Sequence, residues 1–249
     1  TPKPSSAASD VYKRQAYRYY SFLFSKRVRQ HRKFSDRHET EYNLELLSVI
    51  LPVEVKPTLP VIEIDKRHRQ AAESRLTQLG LTINEYAIVH PGCKGSALNL
   101  SPSRYAEIID LIEEEIGLPV LVTGTIAERA LISEISNTRT KKTLAALDIE
   151  SLMELAAIIA GARVFVSGST GPMHIAASVG TPTVSFFPPT RSGSPKRWRP
   201  LGEHSEIVLP HVPQCPRCIR EACPHFNCMD SIANQEIKQR VVRALNRKY

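Results

Sequence analysis

Short apolar runs alternate with amphipathic stretches across the middle of the chain. The runs have four or five residues, which is the length of a buried strand. Between the first two runs, Tyr105, Ile108 and Ile112 recur at the spacing of one helix face. The alternation predicts an α/β fold in which helices cover both faces of a parallel sheet. The predicted strands are 86–90, 119–123, 163–166 and 183–187.

Local sequence signals mark where the helices between these strands begin and end. Ser101 is a predicted N-cap with Pro102 at the first helical position, and Gly117 can end that helix. Ser151 and Glu154 have the spacing of a capping box. These signals predict one helix in each connection.

The chain before the first strand has a different pattern. Residues 16–51 have helical spacing, the proline-rich stretch 52–60 predicts an extended connector, and 65–79 predicts a helix stopped by Gly80. Within residues 1–15, the string SSAASDVYKRQ resembles translated sequencing adapter. We therefore predict a non-native or disordered tail at 1–15.

Composition adds a preference for anionic partners. The net charge is +8, which suits a partner that carries phosphates without selecting a nucleotide, a lipid head group or a nucleic acid. The basic run at 26–33 predicts a solvated face, and an anionic membrane surface is the alternative. No run approaches 18 apolar residues, so we expect no membrane-spanning helix.

Four of the five cysteines lie close together in the sequence. Cys215, Cys218, Cys223 and Cys228 have the spacing C-x2-C-x4-C-x4-C. We expect no export signal, so these residues are interpreted as cytosolic thiols or metal ligands before disulfides. Four thiolates could bind a structural zinc ion, and the spacing also fits a zinc knuckle that binds nucleic acid. A reduced, partly buried loop is the third interpretation.

Two loops that follow predicted strands have the residues of an anion site. The first, 90–97, contains two glycines that allow close approach of a ligand, a positive charge on Lys94 and a hydroxyl on Ser96. Its spacing is not that of a P-loop. In a parallel sheet, ligands bind at the carboxyl ends of the strands, where this loop lies.

The second loop, 167–174, leads into a helix whose free amides favour an anion. Ser169, Thr170 and Gly171 form the turn, and His174 follows in the first helical turn. In a third loop, Glu128 could accept hydrogen bonds from ribose hydroxyls. The alternative for Glu128 is a carboxylate that stabilises a helix start.

The segment VSGSTGPMHIAASVGTPTVSFF at 166–187 closely resembles the signature of glycosyltransferase family 9, the ADP-heptose:lipopolysaccharide heptosyltransferases. The resemblance extends over about residues 16–245. Supporting segments are 38–47, 90–109, 123–132, 197–200 and the cysteine-rich stretch.

The resemblance implies a GT-B architecture of two Rossmann-like domains facing a cleft. Residues 16–64 would be a remnant of the N-terminal acceptor domain and linker. Residues 65–231 would be the sugar-nucleotide-binding domain with a Cys-rich loop at 211–230, and 232–249 a C-terminal helix. The family's catalytic base is an Asp near the start of the N-terminal domain. We expect that segment to be missing, so no base is named and the fragment is expected to be inactive alone.

The resemblance also implies donor-site roles and partners. Lys94 and Ser96 would contact phosphate, and Glu128 would contact ribose. Ser169, Thr170, Gly171 and His174 would hold the pyrophosphate and sugar. The implied reaction moves a sugar, expected to be heptose from ADP-heptose, to a lipopolysaccharide core or similar glycan with inversion. It needs no cofactor, and the implied location is the cytoplasm, at the inner face of the inner membrane.

Three departures from the family pattern bear on which sugar is bound. Ser169 stands where many members have Asp, and Leu100 where many have Trp. No basic residue directly precedes Leu100. A second function class stays open at this point, namely a metal-binding or nucleic-acid-binding module that uses the basic surface and the cysteine cluster. The resemblance favours the transferase, with no nucleic-acid partner.

Overall fold

The computed structural model describes residues 28, 30, 32, 36–48, 51, 56–93, 95, 97–139, 141, 145–149 and 151–247. Its strands are β1 (Ala87–His90), β2 (Val120–Gly124), β3 (Ala145–Asp148), β4 (Val164–Gly168), β5 (Thr183–Phe186) and β6 (Ser205–Val208). Its α-helices are α1 (Glu39–Ser48), α2 (Lys66–Gln78), α3 (Pro102–Leu111), α4 (Arg129–Thr138), α5 (Leu152–Ala160), α6 (Gly171–Ser178), α7 (Pro195–Trp198) and α8 (Asn234–Asn246).

All six strands form one parallel sheet in the order β3-β2-β1-β4-β5-β6. This is the order of a doubly wound Rossmann-like fold, so the predicted fold class is confirmed. After β1 the chain adds β2 and β3 on one side of the sheet, and after β4 it adds β5 and β6 on the other side. The loops after β1 and β4 therefore border a crevice at the point where the strand order reverses.

The strands bury both of their faces, because their alternate side chains enter two separate cores. Val89 and Val166 pack with α3, α4 and α8 on one face. Ile88 and Phe165 pack with α2, α5 and α6 on the other. Burial on both faces explains why the strands appear in the sequence as continuous apolar runs rather than as alternating patterns.

Most of the predicted helix boundaries are confirmed. Ser101 caps α3 by accepting a hydrogen bond from the Arg104 amide. Gly80 and Gly117 adopt left-handed backbone angles after α2 and after the end of α3, with φ of 71° and 79°. After Leu111 the helix widens into a π-helical turn, Ile112–Ile116, before Gly117 ends it.

Two expectations about the helices need correction. The capping box predicted at α5 is only half formed, because Ser151 accepts from the Glu154 amide while the Glu154 carboxylate pairs with Arg75 of α2. Within residues 16–51, which have helical spacing in the sequence, the structure contains the helix Glu39–Ser48. Most of the rest of this range lies outside the described residues. None of the helices in the described ranges combines the length and apolar character needed to cross a bilayer.

Candidate functional site

The turn between β4 and α6 is the centre of the site. Thr170 is the N-cap of α6 with an extended backbone, and its hydroxyl makes no capping bond. Ser169 and Thr170 are half-buried, while Gly171 is exposed. A Cβ placed on Gly171 would meet no atom within 4 Å, so open space lies in front of the helix start. The predicted cluster of Ser169, Thr170, Gly171 and His174 therefore lies on one turn that faces the crevice.

His174 is half-buried in the first turn of α6. Burial lowers the pKa of His174, and the charge of the neighbouring His38 lowers this pKa further. The imidazole is therefore neutral at pH 7, since its ordinary pKa is near 6.5. The attraction of this turn for an anion thus depends on the helix amides and the hydroxyls rather than on a charged histidine.

Asn99 and Tyr105 form a hydrogen-bonded pair beside the end of β4, which the sequence did not indicate. Asn99 donates a hydrogen bond to the Pro91 carbonyl at 2.7 Å and accepts one from the Tyr105 hydroxyl at 2.7 Å. Gly168 lies against it, because a Cβ there would be 2.6 Å from the Asn99 Oδ1. Burial raises the pKa of Tyr105 well above its usual range, so the phenol stays a donor. The Asn99–Tyr105 pair therefore packs between the loop after β1 and the end of β4.

Lys94 and Ser96, the predicted phosphate contacts, lie outside the described residues. Between them, Gly95 has a left-handed φ of 73°, a backbone angle that favours glycine. His90, the first residue of the loop motif, is buried, and its Nδ1 lies 3.0 Å from the Thr123 Oγ1. His90 therefore belongs to the core and not to the crevice.

Glu128 lies at the carboxyl end of β2, in the 3-10 turn Ile126–Glu128. Its Oε2 accepts hydrogen bonds from the Thr125 amide at 2.8 Å and the Thr125 hydroxyl at 2.9 Å. Its Oε1 lies against the loop after β1, because a Cβ on Gly92 would be 2.0 Å away. Glu128 thus caps a helix start and also faces the crevice, so its predicted contact with ribose stays a prediction.

The N-terminal segment reaches this site through two polar contacts. The Nε2 of His38 lies 2.8 Å from the Arg199 carbonyl, and Arg197 donates to Glu39 at 2.7 Å. The two supporting segments of the sequence resemblance, 38–47 and 197–200, therefore contact each other. The charge of His38 acts on His174, and no local pattern in the sequence predicts that these two residues are near each other.

The four cysteines surround one cavity of about 210 Å³ beside the loop after β1. They are free thiols, and Cys218 is exposed. Burial raises the pKa of Cys228, and the charges of Cys215, Cys218 and Cys223 raise it further. Within the described ranges, no three His, Cys, Asp or Glu side chains stand in an arrangement that could hold a metal ion. The predicted zinc site stays a prediction, and its four residues line one cavity.

The sequence has clear relatives. The family described as "Glycosyltransferase family 9 (heptosyltransferase)" matches residues 11–228, a range that includes the last five residues of the predicted tail. A "Putative glycosyltransferase" of Haemophilus influenzae is 31% identical over 217 residues, which are 83% of this chain and 61% of that protein. "Lipooligosaccharide heptosyltransferase 2" of Campylobacter jejuni is 24% identical over 170 residues, 65% of this chain and 51% of that protein. The chain thus spans one half to about three fifths of these relatives.

Solved structures share the fold. A glycosyl transferase family 9 structure from Veillonella parvula superposes with a TM-score of 0.70 at 17% identity, covering 89% of this chain and 62% of that one. The Escherichia coli heptosyltransferase WaaC with ADP gives a TM-score of 0.60 at 18% identity, covering 90% and 61%. These likenesses agree with the predicted GT-B relationship at the level of the fold.

Proposed function

The chain belongs to glycosyltransferase family 9, and we therefore propose that it holds the nucleotide-diphosphate-sugar donor of a glycosyl transfer. The observation that carries this proposal is the position of the α6 start, with Thr170 and Gly171, at the crevice where the strand order reverses. Helix amides and hydroxyls at such a point suit a pyrophosphate. Glu128, at the carboxyl end of β2 on the other side of β1 from β4, is proposed to accept hydrogen bonds from a ribose.

The proposed donor is ADP-heptose and the proposed acceptor a lipopolysaccharide core or similar glycan. The structures of E. coli WaaC with ADP and with ADP-2-deoxy-2-fluoro heptose share this fold, which makes ADP the first nucleotide to test. Ser169, in place of the family's usual Asp, leaves the turn without a carboxylate near the sugar.

The proposed reaction inverts the configuration at the anomeric carbon of the sugar. An acceptor hydroxyl oxygen bonds to that carbon as its bond to the phosphate oxygen breaks, and the nucleoside diphosphate leaves with the electron pair. The acceptor proton passes to a base, which we do not assign to any residue of this chain. The α6 amides stabilise the charge that develops on the leaving group, which is the contribution of this half of the site.

Several further expectations stay open. The predicted cytoplasmic location and contact with the inner face of the inner membrane remain predictions. The alternative module that binds metal or nucleic acid is less favoured than the transferase, because the family match spans most of the chain. A nucleotide titration separates these two classes of function directly.

We expect ADP to bind the purified chain and to raise its thermal midpoint. Isothermal titration calorimetry with ADP and UDP measures the binding, and a single-stranded oligonucleotide of mixed sequence is the matched anionic control. Stoichiometric binding of ADP but not of the oligonucleotide is the expected result. If neither nucleotide gives heat or a thermal shift at millimolar concentration, the donor-site proposal is wrong.

Gly92→Ala is expected to weaken ADP binding by about 1–1.5 kcal/mol, roughly five- to tenfold, with little loss of stability. The new methyl group would displace the Glu128 carboxylate, whose Oε1 lies 2.0 Å from that position. A double-mutant cycle with Glu128→Ala checks the route, because the two effects should not add if both act through Glu128. Fully additive losses would contradict this role of Gly92.

A further inference from the structure

The cysteine segment, residues 211–230, is fixed to the body of the domain at two places. The Cys215 amide donates to the Pro189 carbonyl at 3.0 Å, and the Cys215 carbonyl accepts from the Arg191 amide at 3.0 Å. At the other end, Asp230 accepts from the Ser101 amide at 2.8 Å. The segment thus spans from the loop after β5 to the start of α3, along the edge of the sheet where the crevice opens.

Between these two attachments the segment is mostly exposed. Residues 216–222 and 224–227 are all exposed, whereas Cys215, Cys223 and Cys228 are half-buried. Arg220 and Asn227 adopt left-handed φ angles of 53° and 58°, which fold the chain back on itself. Three of the four cysteines are therefore more buried than the residues around them.

The cavity beneath this segment holds all four cysteines together with two arginines. Its cysteine lining is Cys215, Cys218, Cys223 and Cys228, and Arg217 and Arg220 line it as well. The His225 amide donates to the Cys223 Sγ at 3.4 Å. A backbone donor to sulfur supports a thiolate ligand in the way that outer-shell hydrogen bonds support metal ligands generally.

We propose that Cys215, Cys218, Cys223 and Cys228 bind one structural zinc ion that closes the cysteine segment over this cavity. Four thiolates are the ligand set of a tetrahedral structural zinc site, with Zn–S distances of about 2.3 Å. The sulfurs must move together from their present arrangement, and the exposed turns at 216–222 and 224–227 are the parts of the segment that can move. The attachments at Cys215 and Asp230 stay in place.

Charge balance favours the same ligand set. Four thiols that bind Zn²⁺ release four protons and leave a net charge of −2 on the site. Arg217 and Arg220, which line the same cavity, supply two positive charges. Soft thiolate ligands also select zinc over magnesium or calcium, which prefer oxygen. The bound ion would stiffen the wall formed by the loops after β1 and β5, next to the proposed donor site.

The test uses the full 249-residue chain, purified with a reductant and without chelator. Elemental analysis by plasma mass spectrometry is expected to give one zinc per chain. Cobalt substitution is expected to give the visible absorption of a tetrahedral thiolate site. Cys223→Ser and Cys228→Ser should each lose metal, while the matched control Cys93→Ser, which changes the cysteine outside the cavity, should keep it.

Limited proteolysis gives a second readout that does not require the variants to fold. Trypsin cleavage after Arg217 and Arg220 is expected to be at least tenfold slower in zinc-loaded wild-type protein than after treatment with a strong chelator. Zinc well below one per chain after reconstitution, or equal cleavage in both states, would overturn the proposal. Alkylation and mass spectrometry that find the four cysteines paired as disulfides would overturn it equally.

Discussion

Arg139→Met is expected to lower the free energy of unfolding by about 3–5 kcal/mol, the cost of leaving buried charges without their partner. The Arg139 side chain is fully buried at the end of α4, and its Nε lies 2.8 Å from the Asp110 Oδ1. It also pairs with Glu113 in the π-helical turn. Without the guanidinium, two carboxylates that are largely shielded from water would face each other. Urea denaturation followed by circular dichroism measures the loss.

Arg129→Met is the matched control, because it removes an arginine–aspartate pair at the other end of the same helix. The Arg129 side chain is 65% exposed, and it binds Asp148 where water screens both charges. This variant is expected to leave the urea midpoint almost unchanged. If the two variants lose the same stability, the buried cluster contributes no more than a surface pair, contrary to this prediction.

Thr170→Val and His174→Ala are each expected to weaken ADP binding by about 1.5–3 kcal/mol, roughly 10- to 150-fold. Both residues lie on the turn that presents the α6 amides to the crevice, and the Thr170 hydroxyl is not used as a helix cap. Each change removes one hydrogen bond to a charged phosphate. Calorimetric titration at constant pH measures the affinity, and circular dichroism checks the fold.

Ser178→Ala supplies the control for this pair of variants. Ser178 lies at the far end of α6, where its hydroxyl donates to the His174 carbonyl at 2.7 Å. Its removal tests whether any small change in this helix disturbs binding, and we expect the affinity for ADP to stay within twofold. Unchanged affinity in both Thr170→Val and His174→Ala, with normal circular dichroism, would make the turn structural only.

The predictable parts of the fold are those whose signals are local. The strands β1, β2, β4 and β5 are apolar runs, and the caps at Ser101 and Gly117 depend on side-chain or backbone chemistry within a few residues. Sequence reasoning missed β3 and β6. The β3 residues are two alanines, a leucine and an aspartate, which have weak strand preference.

The strand β6 was not predicted because its stability depends on residues that are distant in the sequence. Glu206 lies in this strand at 4% side-chain exposure, and a buried glutamate is atypical of a strand. Two arginines of the C-terminal region, Arg240 at 3.0 Å and Arg247 at 2.5 Å, neutralise it. Those partners are more than thirty residues away along the chain, so no local pattern shows that the charge is satisfied.

The same difference between local and non-local signals applies to the candidate site. The turn at 169–174 follows from its own sequence, because a strand, a glycine-containing turn and a proline-started helix are consecutive. Asn99, Tyr105 and His38 could not be found in this way, since their roles depend on contacts between separate loops. Asn99 lies within the supporting segment 90–109, and no local pattern indicates that its side chain bonds to Pro91 and packs against Gly168.

The contact between His38 and Arg199 has a consequence for how the N-terminal segment is held. A carbonyl oxygen can only accept, so the His38 Nε2 must carry the hydrogen, which fixes the tautomer of the neutral ring. In that tautomer, Nδ1 accepts from the Thr40 amide at 3.3 Å. The Thr40 hydroxyl lies 2.8 Å from the same Nδ1 and donates to it as well. Both ring nitrogens of His38 therefore have partners, and one imidazole joins the start of α1 to the backbone at Arg199.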